Sequence, residues 1–168
     1  PKDTLFALKT LVKELHQRNI FTIVVGGEQE NTLGMFRGLS GMNTYVNLTS
    51  IDARFDFGEP GILVSDDSYM SNIITEKPNN LKQFTNLGYQ SYYISQEELD
   101  LMQKLFFDAY RLGDIAADLH ESEPILRDTD ILSVDLSSVK ASELDDPKGL
   151  PNGFDGAQIC KLMRYAGL

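Results

Sequence analysis

Two short runs carry side chains whose types and spacing could meet a cation. Asp52-Ala-Arg54-Phe-Asp56 sets acid, base and acid two residues apart, so in an extended segment all three leave one face. Ser133-Val-Asp135-Leu-Ser137 repeats that spacing with one acid between two hydroxyls. Asp52, Asp56 and Asp135 gathered at adjacent strand ends would repel one another unless a cation intervened, which makes a hard-metal site one reading. The other reading is a structural ion-pair cluster in which Arg54 neutralises the acids and no metal binds. Gly26-Gly27-Glu28-Gln29-Glu30 at first suggests a phosphate loop. It lacks the spacing of either glycine-rich phosphate motif, and Glu28 and Glu30 at a helix start would repel an anion.

The remaining reactive side chains read more plainly. His16 and His120 are the only histidines, so a histidine-rich metal site is excluded, and each is expected at the solvated surface. Cys160 stands among apolar residues and reads as a buried, inert thiol, because nothing beside it in sequence would lower its pKa. Tyr89, Tyr92 and Tyr93 read as strand and core aromatics, since no basic residues interleave with them as a base-stacking platform requires. Glu97, Glu98 and Asp100 favour a helix start and face water. Arg111, Arg127 and Arg164 are expected to pair with acids or hold loops.

Elements must position these groups. Leu5, Leu8, Leu11, Val12 and Leu15 recur at helical spacing over Asp3 to Asn19, with Asp3 or Thr4 as cap. Ile20 to Val25 is a β-rich run ending at a Gly26-Gly27 turn, and Glu28 to Leu39 reads as a second helix. Thr44 to Ile51 reads as a strand that delivers Asp52 at its end. After a glycine-proline-glycine turn, Ile62 to Val64 is too short to assign. Asn80 to Leu87 reads as a helix and Ser91 to Ile94 as a short strand. Ser95 and Glu98 form a capping box for a helix reaching about Leu105. Gly113 to Glu121 reads as a short helix, Ile131 to Leu136 as a strand and Ala141 to Gly153 as a loop. Asp155 caps a last helix whose apolar face is Ala157, Ile159, Cys160 and Met163, with Gly167 closing it. Strands separated by helices imply crossover connections, a mainly parallel sheet, and ligands at the strands' carboxyl ends.

Composition narrows the partners. The 168 residues hold 15 basic and 25 acidic side chains, for a net charge of -10. That balance argues against nucleic acid or an anionic membrane, whose affinity Lys and Arg clusters supply. Hydrophobic residues at 42% and charged ones at 24% exclude wholesale disorder. The apolar runs are too short to span a bilayer. One cysteine can form neither an internal disulfide nor a zinc cage, so a cytoplasmic location is expected. Pro1 is not an initiator methionine and no signal peptide is visible, as expected of a fragment or a processed product.

Taken together, Gly-Gly after one strand, D-A-x-x-D after the next and S-x-D later resemble the arginase/agmatinase/formimidoylglutamase family, the ureohydrolases, nearest to a divergent formimidoylglutamase-like branch. Leu87-Gly-Tyr-Gln90, Tyr110-Arg-Leu-Gly113, Glu123 to Asp128, Pro151-Asn-Gly-Phe154 and Arg164 to Gly167 support it. The resemblance implies one three-layer α/β/α domain over 1–168, with a mainly parallel sheet, this chain covering its central part and lacking C-terminal strands. It also implies a binuclear manganese centre that hydrolyses guanidino or formimino C–N bonds. The family's motifs G-G-[DE]-H, D-A-H-x-D and S-x-D-x-D supply the ligands; here Gln29, Arg54 and Ser137 replace two histidines and an aspartate. Asp52, Asp56 and Asp135 remain, with Gln29 as a neutral oxygen donor, a set suited to Mn2+, Mg2+ or Ca2+. Arg54 cannot ligate a metal, and its guanidinium is expected to stand in for the second cation. One divalent cation or none is expected, no catalytic residue is assigned, and a non-catalytic protein is favoured over a divergent hydrolase. Assembly into a homo-oligomer, or with a protein partner, follows from the same resemblance and from the need to cover an open sheet edge.

Overall fold

The computed structural model describes residues 2–58, 64–144 and 149–167, and it divides into two compact units, 1–46 with 56–82 and 47–55 with 83–168. In the first unit the periodic segment forms α1 (Lys2–Gln17), with Asp3 and Thr4 inside its first turn rather than capping it. Leu5 and Val12 are buried, whereas Leu11 faces outward. α2 (Asn31–Ser40) starts at Asn31 because Glu28 to Glu30 are spent on a turn, with Asn31 N donating to Glu28 O. A Cβ on Gly38 would lie 2.9 Å from Val12 Cβ, so α1 and α2 pack backbone-close at this glycine. α3 (Tyr69–Thr75) contacts α2, and Arg37 Nε donates to Glu76 Oε1 at 2.7 Å just beyond its end. Ile62 and the turn before it lie outside the described residues, and Val64 belongs to no helix or strand.

The expected strand at Ile20 to Val25 does not form. Its residues join no ladder, and Phe21, Ile23 and Val25 are 85%, 75% and 89% exposed. A β-prone run becomes a strand only when another strand offers backbone partners, and none does among the described residues. At its end Gly26 and Gly27 adopt φ of 89° and 79°, the left-handed turn that the double glycine implies.

The sheet has four strands, β1 (Val46–Ile51), β2 (Leu81–Tyr89), β3 (Asp108–Arg111) and β4 (Ile131–Val134), in the order β3-β2-β1-β4. The β1–β4 and β2–β3 ladders are both parallel. β2 overturns the expected helix at Asn80 to Leu87. Phe84 to Gly88 are buried without interruption, as in a central strand covered on both faces, so the sequence shows no two-residue alternation. Gly88 has φ 108°, and a Cβ there would meet Phe154 Cε2 at 2.7 Å. Ser91 to Ile94 is a turn rather than a strand, closed by Tyr93 N donating to Gln90 O. β3 has only four residues and was not anticipated.

Helices flank this sheet. α4 (Gln96–Lys104) starts at the expected Ser95/Glu98 capping box. The expected helix over Gly113 to Glu121 is α5 (Leu112–Ala117) followed by a single 3-10 turn, and α6 (Ser122–Arg127) had no sequence-level expectation. α7 (Gly156–Ala166) begins at an Asp155/Gln158 capping box and ends at Gly167. Ile51, Leu87, Ile115, Leu126, Phe154 and Leu162 form the second unit's core, each burial contributing about 1.5–3 kcal/mol. The inward face of α7 is Ile159, Leu162 and Met163; Ala157 and Cys160 turn to solvent, which corrects the buried-thiol expectation. A helix has one inward stripe, and Leu162 occupies it.

Candidate functional site

The carboxyl ends of β1 and β4 are neighbours because the ladder pairs Ile51 with Val134. The next residues, Asp52 and Asp135, therefore emerge together, with Asp135 N donating to Ile51 O at 3.0 Å. Asp52 is 2% exposed and its N–H donates to Leu87 O at 3.2 Å on β2. The two aspartates then behave alike. Asp52 Oδ1 accepts from Arg54 N at 2.9 Å, and Asp135 Oδ1 accepts from Ser137 N. Each carboxylate thus folds its own chain into a turn two residues on.

That local turn breaks the extended backbone on which the expected convergence of Asp52 and Arg54 relies. Two-residue alternation holds only while the backbone is extended, and it ends at Asp52. Asp52 and Asp56 are buried, whereas Arg54 is exposed. The Arg54 guanidinium carbon lies 5.0 Å from the centroid of the Tyr93 ring. It forms no direct ion pair with an acid among the described residues.

Asp56 and Gln29 belong to the first unit. Asp56 is 8% exposed with φ 54°, and half-buried Gln29 donates through Nε2 to Tyr69 Oη at 3.2 Å. Among the described residues no three His, Cys, Asp or Glu side chains form a group able to hold a metal ion. Asp52 and Asp135 directly follow the paired residues Ile51 and Val134, within the second unit. Gln29, Arg54 and Ser137 bring an amide, a cation and a hydroxyl.

The turn after β2 adds residues that sequence reasoning missed. Fully buried Asn86 donates through Nδ2 to Arg54 O at 2.8 Å, while its buried Oδ1 has no hydrogen bond among the described residues. Gln90, also buried, donates its N–H to Ala53 O at 3.0 Å and Nε2 to Asn152 O at 3.0 Å. Tyr92 is 64% exposed rather than core; its hydroxyl donates to Gln90 Oε1 and accepts from Asn152 Nδ2. No spacing rule links residues 54, 86, 90 and 152, so only the resemblance at Leu87-Gly-Tyr-Gln90 and Pro151-Asn-Gly-Phe154 hinted at them.

The other candidates are peripheral. His16 and His120 are exposed, and His120 meets Tyr165 Oη at 3.0 Å and Lys161 Nζ at 3.4 Å. Arg127 pairs with Glu123, and Arg111 donates to Ser91 Oγ at 3.3 Å. No helix among the described residues is long and apolar enough to cross a membrane.

The sequence matches no protein-family model and no curated protein. Solved structures do resemble it. A Trypanosoma cruzi formiminoglutamase with Mn2+ superposes with TM-score 0.83 at 15% identity, over 96% of this chain and 57% of that one. An arginase from Medicago truncatula gives TM-score 0.75 at 16% identity, over 98% and 54% of the two chains. A T. brucei arginase-like protein gives 0.73 at 14%, over 95% and 51%; it is a triple mutant with two serines changed to aspartate and one arginine to histidine, bound with Mn2+. The chain therefore spans little more than half the length of these proteins. Its parallel sheet flanked by helices is the arginase-like α/β fold of the ureohydrolases.

Proposed function

We propose that the chain is a divergent ureohydrolase-like protein of the formimidoylglutamase/arginase type whose metal site has degenerated. In this reading it is non-catalytic, cytoplasmic, and acts through protein contacts, as a homo-oligomer or with a partner. One observation carries the proposal: at the central ligand motif stands Arg54, whose guanidinium lies on Tyr93 and cannot ligate a metal. Replacement of two further ligand positions by Gln29 and Ser137 supports it, since hydroxide formation at neutral pH needs cations to lower the pKa of bound water. The T. brucei relative supports it too, because the variant bound with Mn2+ carries histidine for arginine and aspartate for serine.

The test is calorimetry with Mn2+, Mg2+ and Ca2+, alongside assays for urea or formamide release from guanidino and formimino compounds. The chain is expected to give no saturable metal binding and no turnover. The combined variant Gln29→His, Arg54→His and Ser137→Asp is expected to gain Mn2+ binding. Metal binding lost in Asp135→Ala and accompanied by turnover would establish a divergent C–N hydrolase with Asp52, Asp56 and Asp135 as ligands.

A further inference from the structure

Within the second unit, a cation just beyond the end of β1 rests on an aromatic ring and forms no ion pair among the described residues. Arg54 is fixed through both backbone groups: its N–H donates to Asp52 Oδ1 at 2.9 Å and its carbonyl accepts from buried Asn86 at 2.8 Å. Its guanidinium rests on the Tyr93 ring, and its side-chain N–H groups meet no acceptor among the described residues. Arg18, Arg37 and Arg127 each pair with a glutamate. Arg54, like Arg111, forms no ion pair among the described residues, but its guanidinium alone among the arginines rests on an aromatic ring there.

Its support is built rather than incidental. Tyr93 N donates to Gln90 O at 2.9 Å, which closes the turn carrying the ring. Tyr92 packs against Tyr93 at 4.7 Å between centroids, near edge-on. Tyr92 is in turn fixed by Gln90 and by Asn152. An aromatic backing engages the flat face of a guanidinium and leaves its donor edge open. That edge matches the two oxygens of a carboxylate, and one positive charge matches one negative charge. The ring contact reduces the rotamer freedom that the guanidinium would lose on binding. The position, at the carboxyl end of a strand in a parallel sheet, is where α/β folds receive ligands.

We propose that Arg54, backed by Tyr93 and flanked by Tyr92, is a recognition site for a carboxylate. The carboxylate belongs either to a small organic acid or to an acidic residue of a polypeptide. The site is independent of the non-catalytic reading, since it needs neither the presence nor the absence of a metal.

The test follows the arginine Nε–Hε signals of the isotope-labelled full chain by NMR. Three titrants are compared at matched ionic strength: glutarate, a tetraglutamate peptide and chloride. The Arg54 signal is expected to move saturably with a carboxylate and not with chloride. Affinity is expected to fall at least ~10-fold in Arg54→Gln, read from shifts of the residues around it. Tyr93→Leu should weaken it several-fold, and Arg127→Gln should leave it unchanged. Both altered arginine side chains are exposed, so both variants should fold, which the amide spectrum verifies. Saturation by glutarate points to a small acid, and tighter binding of the peptide to a polypeptide. Non-saturating shifts, equal shifts with chloride, or undiminished binding in Arg54→Gln would overturn the assignment.

Discussion

Tyr110 shows how one side chain couples the fold to pH. It lies on β3, and burial first, then Asp108 and Glu121, push its phenol above the ordinary 10.0. Burial and neighbouring negative charge both disfavour the phenolate. A group whose pKa is raised by folding contributes stability that is in place below its unfolded value and is lost as pH rises through the folded value. Stability should therefore decline as the pH climbs from about 10. In Tyr110→Phe that part of the decline should vanish, as urea unfolding across an alkaline series would reveal. An unchanged decline would mean that Tyr110 titrates no differently in the unfolded chain.

At the level of elements, the α1–α2 contact depends on an absent side chain. A Cβ on Gly38 would lie 2.9 Å from Val12 Cβ and Cγ1 and 3.0 Å from Lys9 O. Real Cβ contacts are longer, so the helices would have to part. Gly38→Ala gains helix propensity of roughly 1 kcal/mol, while overpacking a tight contact costs about 1–3 kcal/mol. The clash involves backbone and a stiff β-branched side chain, so the second effect should win. Thermal or urea unfolding should show net destabilisation, and relief by the double variant with Val12→Ala would identify the cause.

For the molecule as a whole, charge and apolar exposure oppose each other. A net charge of -10 keeps copies apart. Phe21, Ile23 and Val25 present an apolar stripe along a segment whose backbone, from Phe21 to Val25, has no hydrogen-bond partner among the described residues. Such a segment offers both apolar contact and open backbone groups to another chain. Screening the charge with salt should therefore promote association, measured by light scattering. Changing Phe21, Ile23 and Val25 together to serine should abolish that association and leave the unfolding midpoint unaltered. A lowered midpoint would show that these side chains are buried in solution.

What was legible in the sequence was local. Ser95 with Glu98, and Asp155 with Gln158, cap helices through hydrogen bonds that span three residues, so spacing alone could place Ser95, Glu98 and Asp155. The strands before Asp52 and Asp135 were equally readable, because β-branched and apolar runs ending in acids need no distant information. The replaced ligand positions at Gln29, Arg54 and Ser137 also stand in the sequence itself. Tertiary structure decided the rest, for reasons that are non-local. β2 reads as a helix until neighbours on both edges and layers on both faces turn its unbroken burial into a central strand. Ile20 to Val25 reads as a strand, yet a strand exists only where a partner supplies its hydrogen bonds. Arg54 reads as converging with two aspartates, but a single turn-forming bond from Asp52 ends the extended backbone and sends the guanidinium to Tyr93. Residue types and short periods are written along the chain; which partner a backbone or a charge finds is set only when distant segments meet.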